Sequence, residues 1–593
     1  MGATIAVLAL TLGWAPSATA APDQRVVLAW LPSETTVADL AEAGLSPGLM
    51  SAGLGTVPPE QTYLDIGQGN RVFDSLYDSP LPEPQGDWDR WWRAVVERAE
   101  SAPADVVPGL LSSTLASADV PSRLFEVERT SLGRLTRGGT EGLVIAIARP
   151  TGESDAPLPI GISGAGFDGN LTSDSTRMDG YVLSTDVAPT ILDYLGVEVP
   201  AEMSGQPIRA EGSVDPAALE SLAARMDVIS SRRGPVVALN VVIWLVALLL
   251  VVAIGRGRRT RLAVRVVGLA VVYLPLLLLL GSALEPSEPA EALLVGVGAP
   301  ALGAVTLAVL RGYRALAVAS TLTVLAYAID VIAGSPLTSL SLLGPNPGLG
   351  VRFYGIGNEL EALLAVLVTA GAGAGLTAFA SKVSKRASAA VFLALGLAAA
   401  FVFAAGRFGA DVGAAIVFPV GAAVAALAIA GRGKRLVVPA ALAAPVAVLA
   451  LLALVDLVSG ADAHLTRSVL DAGGLGDLAD VAQRRLQLSA RSFGRPVLLA
   501  FLPLVLGLAA LAYLRRDRLR DWLDGVPAMR AGLLGALAAT VIGTLANDSG
   551  ALLLEIGTAY LLVFTGFAWA ESGANSGKSS VADEKLQSRA PHV

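Results

Sequence analysis

Arg352-Phe-Tyr-Gly-Ile-Gly-Asn-Glu-Leu-Glu361 stands at the mouth of a long apolar run that begins at Ala362. An ionisable side chain at the edge of a bilayer segment is costly to desolvate, so it marks a pathway or a site. Two later stretches repeat the pattern: Gly406-Arg-Phe-Gly-Ala-Asp411 and Asn547-Asp-Ser-Gly550. Each is a short polar break between apolar segments, and the fold follows from reading those segments as membrane helices.

About eleven runs reach the ~20 residues needed to cross a hydrocarbon core. They lie near 235–255, 266–284, 291–310, 315–333, 360–380, 388–405, 413–431, 436–457, 496–514, 529–547 and 550–570. Basic residues mark every second connection: Arg256 to Arg265, Arg311 and Arg314, Lys382 to Arg386, Arg432 to Arg435, and Arg515 to Arg520. By the positive-inside rule these connections face the cytoplasm. The three polar stretches, the segment Glu285–Pro289 and the loop 458–495 then face outward. A multi-pass plasma-membrane protein is expected, with its N-terminal part extracytoplasmic and its C-terminus cytoplasmic.

Composition agrees. With 53% hydrophobic and 16% charged residues over 593 positions, the chain is too apolar for an ordinary soluble protein. The net charge of −8 argues against a nucleic-acid partner. Cysteine is absent, which removes disulfides, zinc thiolates and cysteine nucleophiles. No G-x-x-x-x-G-K-[ST] loop occurs, so ATP-driven work is not expected.

The apolar content begins late. Residues 4–15 followed by Ala18-Thr-Ala20 have the pattern of a signal peptide cleaved before Ala21, without its basic n-region. The expected order is a signal peptide (1–20), an extracytoplasmic α/β domain (21–212), a polar stalk (213–234), an all-α polytopic membrane domain (235–571) and a cytoplasmic tail (572–593). Val26–Trp30 and Leu143–Ile147 read as buried strands of a parallel sheet. In Trp88-Asp-Arg-Trp-Trp-Arg-Ala-Val-Val96 the apolar positions 88, 91, 92, 95 and 96 share a helical face, expected to pack on that sheet.

Within this domain, Gly180-Tyr-Val-Leu-Ser-Thr-Asp-Val-Ala-Pro-Thr-Ile-Leu-Asp-Tyr-Leu-Gly196 resembles the C-terminal part of the alkaline phosphatase/sulfatase superfamily. There, a D-I-A-P-T-I-L helix follows the last metal-site segment. Pro159–Gly166 is similar to the family's P-x-I-x-x-G-P-G strand and turn, and Thr62–Arg71 to a segment near its nucleophile. The resemblance spans about residues 25–210 and implies a parallel sheet with helices. Family members hold metal ions with aspartates and histidines. Here the first strand runs into Leu31-Pro-Ser-Glu34 and the second into Arg149-Pro-Thr151, where the family has Asp and Asp-His-Gly. The two histidines, His464 and His592, lie far downstream. The resemblance therefore implies a phosphatase-shaped pseudoenzyme without its metals.

The chemistry is expected in the membrane part. Glu359, Glu361, Asp411 and Asp548 are the candidate acids and bases, while Arg352, Asn358, Arg407, Asn547 and Glu555 would hold a substrate. Asn358 and Glu361 share a helical face, whereas Glu359 and Glu361 point about 200° apart. Arg407 and Asp411 are four apart and would pair on a helix. Asp548 and Glu555 share a face, Glu555 lying about 10 Å deeper. Asp330 and Asp456 are weaker candidates near the ends of their spans. The excess of acids over arginines should attract a cation: a proton, sodium or a divalent metal.

Three functions suit this pattern. The first is an outer-face transferase moving a glycan or phospho-group from a lipid-linked envelope precursor, with arginines on the lipid phosphate. The second is a proton- or cation-coupled transporter or lipid flippase, with Asp548 and Glu555 carrying the ion. The third is a non-catalytic scaffold that binds envelope proteins through the exported domain.

Overall fold

The computed structural model describes residues 25–587, apart from 85–86, 136–141, 256, 380–381, 432–433, 437–438, 440–442, 450–486, 488 and 495. The expected signal peptide, Asp456, His464, His592 and most of the eighth span lie outside the described residues. The chain divides into two compact units: residues up to 224 with 348–351, and residues 225–347 with 352 onward.

The first unit is an α/β layer structure. Its strands are β1 (Val26–Leu31), β2 (Ser46–Ser51), β3 (Phe125–Arg129), β4 (Leu143–Ala148), β5 (Leu158–Ser163) and β7 (Tyr181–Leu183), in the order β3-β1-β4-β5-β2-β7. Strands β6 (Asn170–Ser173) and β8 (Ile208–Glu211) form a separate antiparallel pair. β1 and β4 are fully buried, as continuous apolar strands covered on both faces must be. Leu28 and Trp30 face a core that includes Ile66, Leu111 and Ile191, from helices α2 (Pro59–Gln68), α4 (Leu110–Ser117) and α6 (Val187–Tyr194). Val27, Ala29 and Leu31 face the opposite layer with Leu40 of α1 (Val37–Glu42).

Two expectations need correction here. The sheet is mixed: β5 runs antiparallel to both β4 and β2. Only residues 149–157 join β4 to β5, too short a link for the crossover that a parallel neighbour needs. The tryptophan helix α3 (Trp88–Glu100) does not pack on the sheet. Trp91 and Val95 pack on Leu64 of α2, and Trp91 Nε1 donates to the Pro82 carbonyl. Trp88 stays 67% exposed.

The second unit is helical. Among the described residues, eight helices are long and apolar enough to cross a membrane: Pro216–Ile254, Arg258–Leu284, Glu288–Val309, Tyr313–Ile332, Asn358–Phe379, Lys385–Ala404, Pro527–Ala546 and Gly550–Ser572. Two shorter apolar helices, Ala414–Ala430 and Leu502–Leu514, accompany them. These are the features of a multi-pass membrane protein. The expected stalk is itself helical, α7 (Pro216–Arg232), continuing through one π-helical stretch into α8 (Leu239–Ile254).

Later helices follow as α9 (Arg258–Leu284), α10 (Glu288–Gly296), α11 (Gly298–Val309), α12 (Tyr313–Ile332), α13 (Asn358–Phe379), α14 (Lys385–Ala404) and α15 (Ala414–Ala430). The last four are α16 (Pro496–Leu514), α17 (Arg516–Trp522), α18 (Pro527–Ala546) and α19 (Gly550–Gln587). Helix α13 is the hub, packed against α12, α14, α15, α18 and α19. Its residues 360–371 are buried without interruption. A helix apolar all round belongs inside a bundle, so any polar group it carries is buried by the bundle as well.

Candidate functional site

The polar stretch before α13 is irregular and held by buried hydroxyls. Ser335 Oγ accepts from the Gly355 amide at 2.9 Å, and Ser339 Oγ donates to the Phe353 carbonyl at 2.6 Å. The Ile356 amide donates to the Gly409 carbonyl at 3.1 Å, which ties this stretch to the turn after α14. Gly355 has φ +77°, and a side chain there would collide with that same carbonyl.

The turn after α14 folds back on the helix end. The amides of Gly409 and Asp411 donate to the Val402 and Phe403 carbonyls, and Ala410 adopts a left-handed φ of +51°. This geometry corrects the expected Arg407–Asp411 pair, because the segment is not helical and the two side chains diverge. Arg407 is exposed and stacks over Phe408, 5.0 Å from the ring centre. Asp411 is instead 97% buried and faces Arg352, with Asp411 Oδ2 and Arg352 Nη1 3.6 Å apart. Arg352 Nη1 also donates to the Ile356 carbonyl. Asp411 Oδ1 accepts from the Ala414 amide at 3.3 Å, at the start of α15.

Glu361 lies one turn into α13 and is fully buried. Glu359 faces elsewhere and is only half-buried, as the helical spacing requires. Asn547, just past α18, donates from Nδ2 to Glu361 Oε2 at 2.7 Å and to Asn358 Oδ1 at 3.1 Å. Its Oδ1 accepts from the Ser549 amide at 3.1 Å, which fixes the amide orientation. Asn358 Nδ2 then donates to Asp548 Oδ1 at 3.1 Å. A polar chain thus runs from exposed Asp548 through Asn358 and Asn547 to buried Glu361.

Among the described residues, two oxygens in this cluster are buried and lack a hydrogen-bond partner: Glu361 Oε1 and Asp411 Oδ2. Buried polar atoms are nearly always paired, so an orphan carboxyl oxygen calls for a cause. The two carboxyls flank one short turn. A side chain on Gly413 would come within 2.4 Å of Glu361 Oε2, while Asp411 bonds the next amide along. Glu361 is within electrostatic reach of Asp411, Arg352 and Asp548.

The three polar stretches therefore converge. Six of the nine expected site residues meet in one cluster: Arg352, Asn358, Glu361, Asp411, Asn547 and Asp548. Glu359 and Arg407 border it without a bond to its members among the described residues. Glu555 is half-buried one to two turns into α19 and makes no bond to the cluster among the described residues. Asp330, buried near the end of α12, caps the Leu337 and Thr338 amides. Ser335, Ser339 and Gly413 went unnoticed in the sequence. Small residues without a periodic signal look the same in a linker as in a site.

Among the described residues no group of three His, Cys, Asp or Glu side chains is placed to hold a metal ion. No family model, no curated protein and no solved structure matches the chain.

Proposed function

We propose that the membrane unit is a cation-coupled carrier of an envelope component, a membrane lipid or lipid-linked precursor, working at the plasma membrane. One observation carries this reading: two buried carboxyls, Glu361 and Asp411, each keep one oxygen without a hydrogen-bond partner among the described residues, with Arg352 beside Asp411. A site that takes up and releases a cation needs acceptor capacity in a desolvated place, closed by helices that repack. An outer-face transferase needs its acid or base in contact with substrate. Glu361 is fully buried, so the carrier reading ranks above the transferase reading. The ion lies on Glu361 and Asp411 rather than on Asp548 and Glu555.

The N-terminal unit fits a binding or assembly role for envelope partners. At the ends of β1 and β4, Arg149 Nε donates to the Leu31 carbonyl at 3.1 Å, an ordinary loop contact where a phosphatase would present metal ligands.

Mass spectrometry of lipid-linked envelope precursors after depletion of the protein tests the carrier reading, with an impermeant probe assigning the leaflet. Accumulation on the inner leaflet is expected. Accumulation on the outer leaflet would restore the transferase, and unchanged precursors would leave the scaffold.

A further inference from the structure

We infer that the N-terminal unit grips the chain immediately before Arg352, and that Arg71 is the positioning residue through which it holds Arg352 for the membrane site. The inference rests on the carrier reading for what that site does, and adds how the N-terminal unit controls it.

The grip lies wholly inside the first compact unit, which includes residues 348–351 although they fall between α12 and α13 in the sequence. Arg71, just past α2, is set by its neighbour. Asn70 Nδ2 donates to the Asp105 and Glu202 carbonyls at 3.0 and 2.9 Å, and Asn70 Oδ1 accepts from the Arg71 amide at 2.8 Å. The guanidinium then donates to the Gly350 carbonyl at 2.7 Å, to Ser51 Oγ at 3.3 Å and to the Gly53 carbonyl at 3.4 Å. The Gly55 amide donates to the Leu349 carbonyl at 2.8 Å, so two successive carbonyls of the segment are held. Gly350 has φ +70°, and a β-carbon there would lie 2.1 Å from the Gly53 carbonyl oxygen and 2.7 Å from Ser51 Oγ. Glycine alone reaches that depth at that φ.

This is also an edge at which α/β units bind ligands. β2 runs parallel to β7, and in such sheets ligands sit outside the carboxyl ends of the strands. Ser51 ends β2, with Gly53 and Gly55 in the loop that follows. The occupant of that edge is a segment of the chain itself.

Connectivity carries the grip to the site. Only Val351 and Arg352 separate Gly350 from Phe353, whose carbonyl is held in the second unit by Ser339 Oγ at 2.6 Å. Two residues span at most about 7 Å, so a shift of Gly350 is taken up in a stretch that contains Arg352. The Arg352 guanidinium stands 3.6 Å from Asp411 Oδ2 and donates to the Ile356 carbonyl. Fixing the backbone before a long side chain restricts where its guanidinium can reach. Arg71 therefore acts on Asp411 through Arg352 and not by contact.

Trypsin cuts after an arginine where the backbone can leave its anchors. Limited digestion of the full-length protein in detergent micelles, with the cut after Arg352 followed by mass spectrometry, reads the grip without any transported substrate. Losing a hydrogen bond from a charged donor shifts a local opening by about ten-fold or more, so Arg71→Gln should speed this cut by that factor. Gly350→Ala, which acts from the segment's side and leaves Arg71 in place, should do the same. Arg71→Lys keeps the charge within reach of Asp65 and Asp186 and one donor for Gly350, and should fall between. Complementation of a depleted strain should follow the same order. An arginine that merely packs its own unit would speed cuts across residues 26–210 as much as the cut after Arg352.

A cut after Arg352 that is no faster in Arg71→Gln and Gly350→Ala would overturn the grip. A faster cut with full complementation would overturn the positioning of Arg352. If Arg71→Gln does not fold, Gly350→Ala carries the same test. The carrier reading fails by a different result: a released Arg352 with precursors unchanged on depletion sinks the carrier and leaves the grip standing. Precursors that accumulate on depletion, but not in strains carrying Arg71→Gln or Gly350→Ala, sink the positioning role alone.

Discussion

Asp186 in the N-terminal unit and Glu361 in the membrane unit are both fully buried carboxyls, and the folds treat them in opposite ways. Asp186 accepts four hydrogen bonds, from Ser173 Oγ and Ser175 Oγ at 2.6 Å each and from the Leu183 and Gln206 amides at 2.9 Å each. Burial still pushes its pKa up, with those donors pulling the other way. Glu361 receives one donor, and its other oxygen has none. A buried acid surrounded by donors is architecture, because any change of protonation breaks bonds. One left half-satisfied has room for a change of state. On the proposed carrier reading, donor count, rather than burial, separates the structural carboxyl from the working one.

The largest effect should come from breaking the satisfied case. Asp186→Ala strands two hydroxyls and two amides, those of Ser173 and Leu183 in the core, a loss of about 3–5 kcal/mol by analogy with other disrupted buried charged networks. Protease digestion of the membrane-bound protein should then show the N-terminal unit cut while the helical unit survives. An intact N-terminal unit in Asp186→Ala would remove one side of the comparison.

Asp65 lies between the extremes, with two donors. It is 1% exposed and accepts from Gln61 Nε2 at 2.8 Å and Gln68 Nε2 at 3.2 Å. Burial raises its pKa from 3.8 to about 7, against the pull of those amides and of Arg71 and Arg98. A raised acid pKa means that the folded state binds the proton more tightly than the unfolded chain. Stability from this group is therefore fully present below pH 3.8 and is lost as pH rises to about 7. The loss is a few kcal/mol in order of magnitude, since each tenfold difference in proton affinity is worth about 1.4 kcal/mol. Protection of the α2 amides, taken as exchange relative to the intrinsic amide rate at each pH, should fall from pH 5 to pH 8, and Asp65→Asn should abolish that slope. A slope that survives the substitution would place the titration elsewhere.

How far the sequence foretells these differences depends on what each element needs from distant parts of the chain. β1 and β4 are legible because an apolar run covered on both faces needs no partner to announce itself. That Glu359 and Glu361 face different ways is legible too, since a helix alone separates them by about 200°, but not which of the two turns inward. The antiparallel β5 is hidden, because direction depends on where a short loop lets the chain land. The Arg407–Asp411 pair fails for a local reason: Ala410 takes a left-handed conformation that no pattern of apolar residues encodes. Arg352 meeting Asp411, and Asn547 meeting Glu361, are products of helix packing, invisible until α13, α14 and α18 come together.

Glu361→Gln sharpens the comparison from the other side. The substitution keeps an acceptor for Asn547 and places an amide donor where Oε1 lacked one, so stability should change by less than about 1 kcal/mol. Complementation of a depleted strain should nevertheless fail completely. If Glu361→Gln unfolds the protein as Asp186→Ala does, both carboxyls are architectural and the contrast is lost.

The smallest effect is expected at Ala410, and its size is informative for that reason. A left-handed φ of +51° strains alanine by roughly 1 kcal/mol, and glycine would relieve it. Glycine also gives the unfolded chain more freedom, at a cost of about 0.4–1 kcal/mol. The two terms oppose each other, so Ala410→Gly should leave stability within about 0.5 kcal/mol of the parent in a thermal-unfolding assay. What alanine supplies is stiffness, because the residue after it, Asp411, must point an unpartnered oxygen at its neighbours. On the carrier reading, loosening the turn should lower transport by a few fold while the folded protein persists, and Ala410→Val, β-branched at the same φ, should cost stability outright. Unchanged transport in Ala410→Gly would mean that the amide bonds to Phe403 and Ala414 alone aim Asp411, and that the strained turn is incidental to the site.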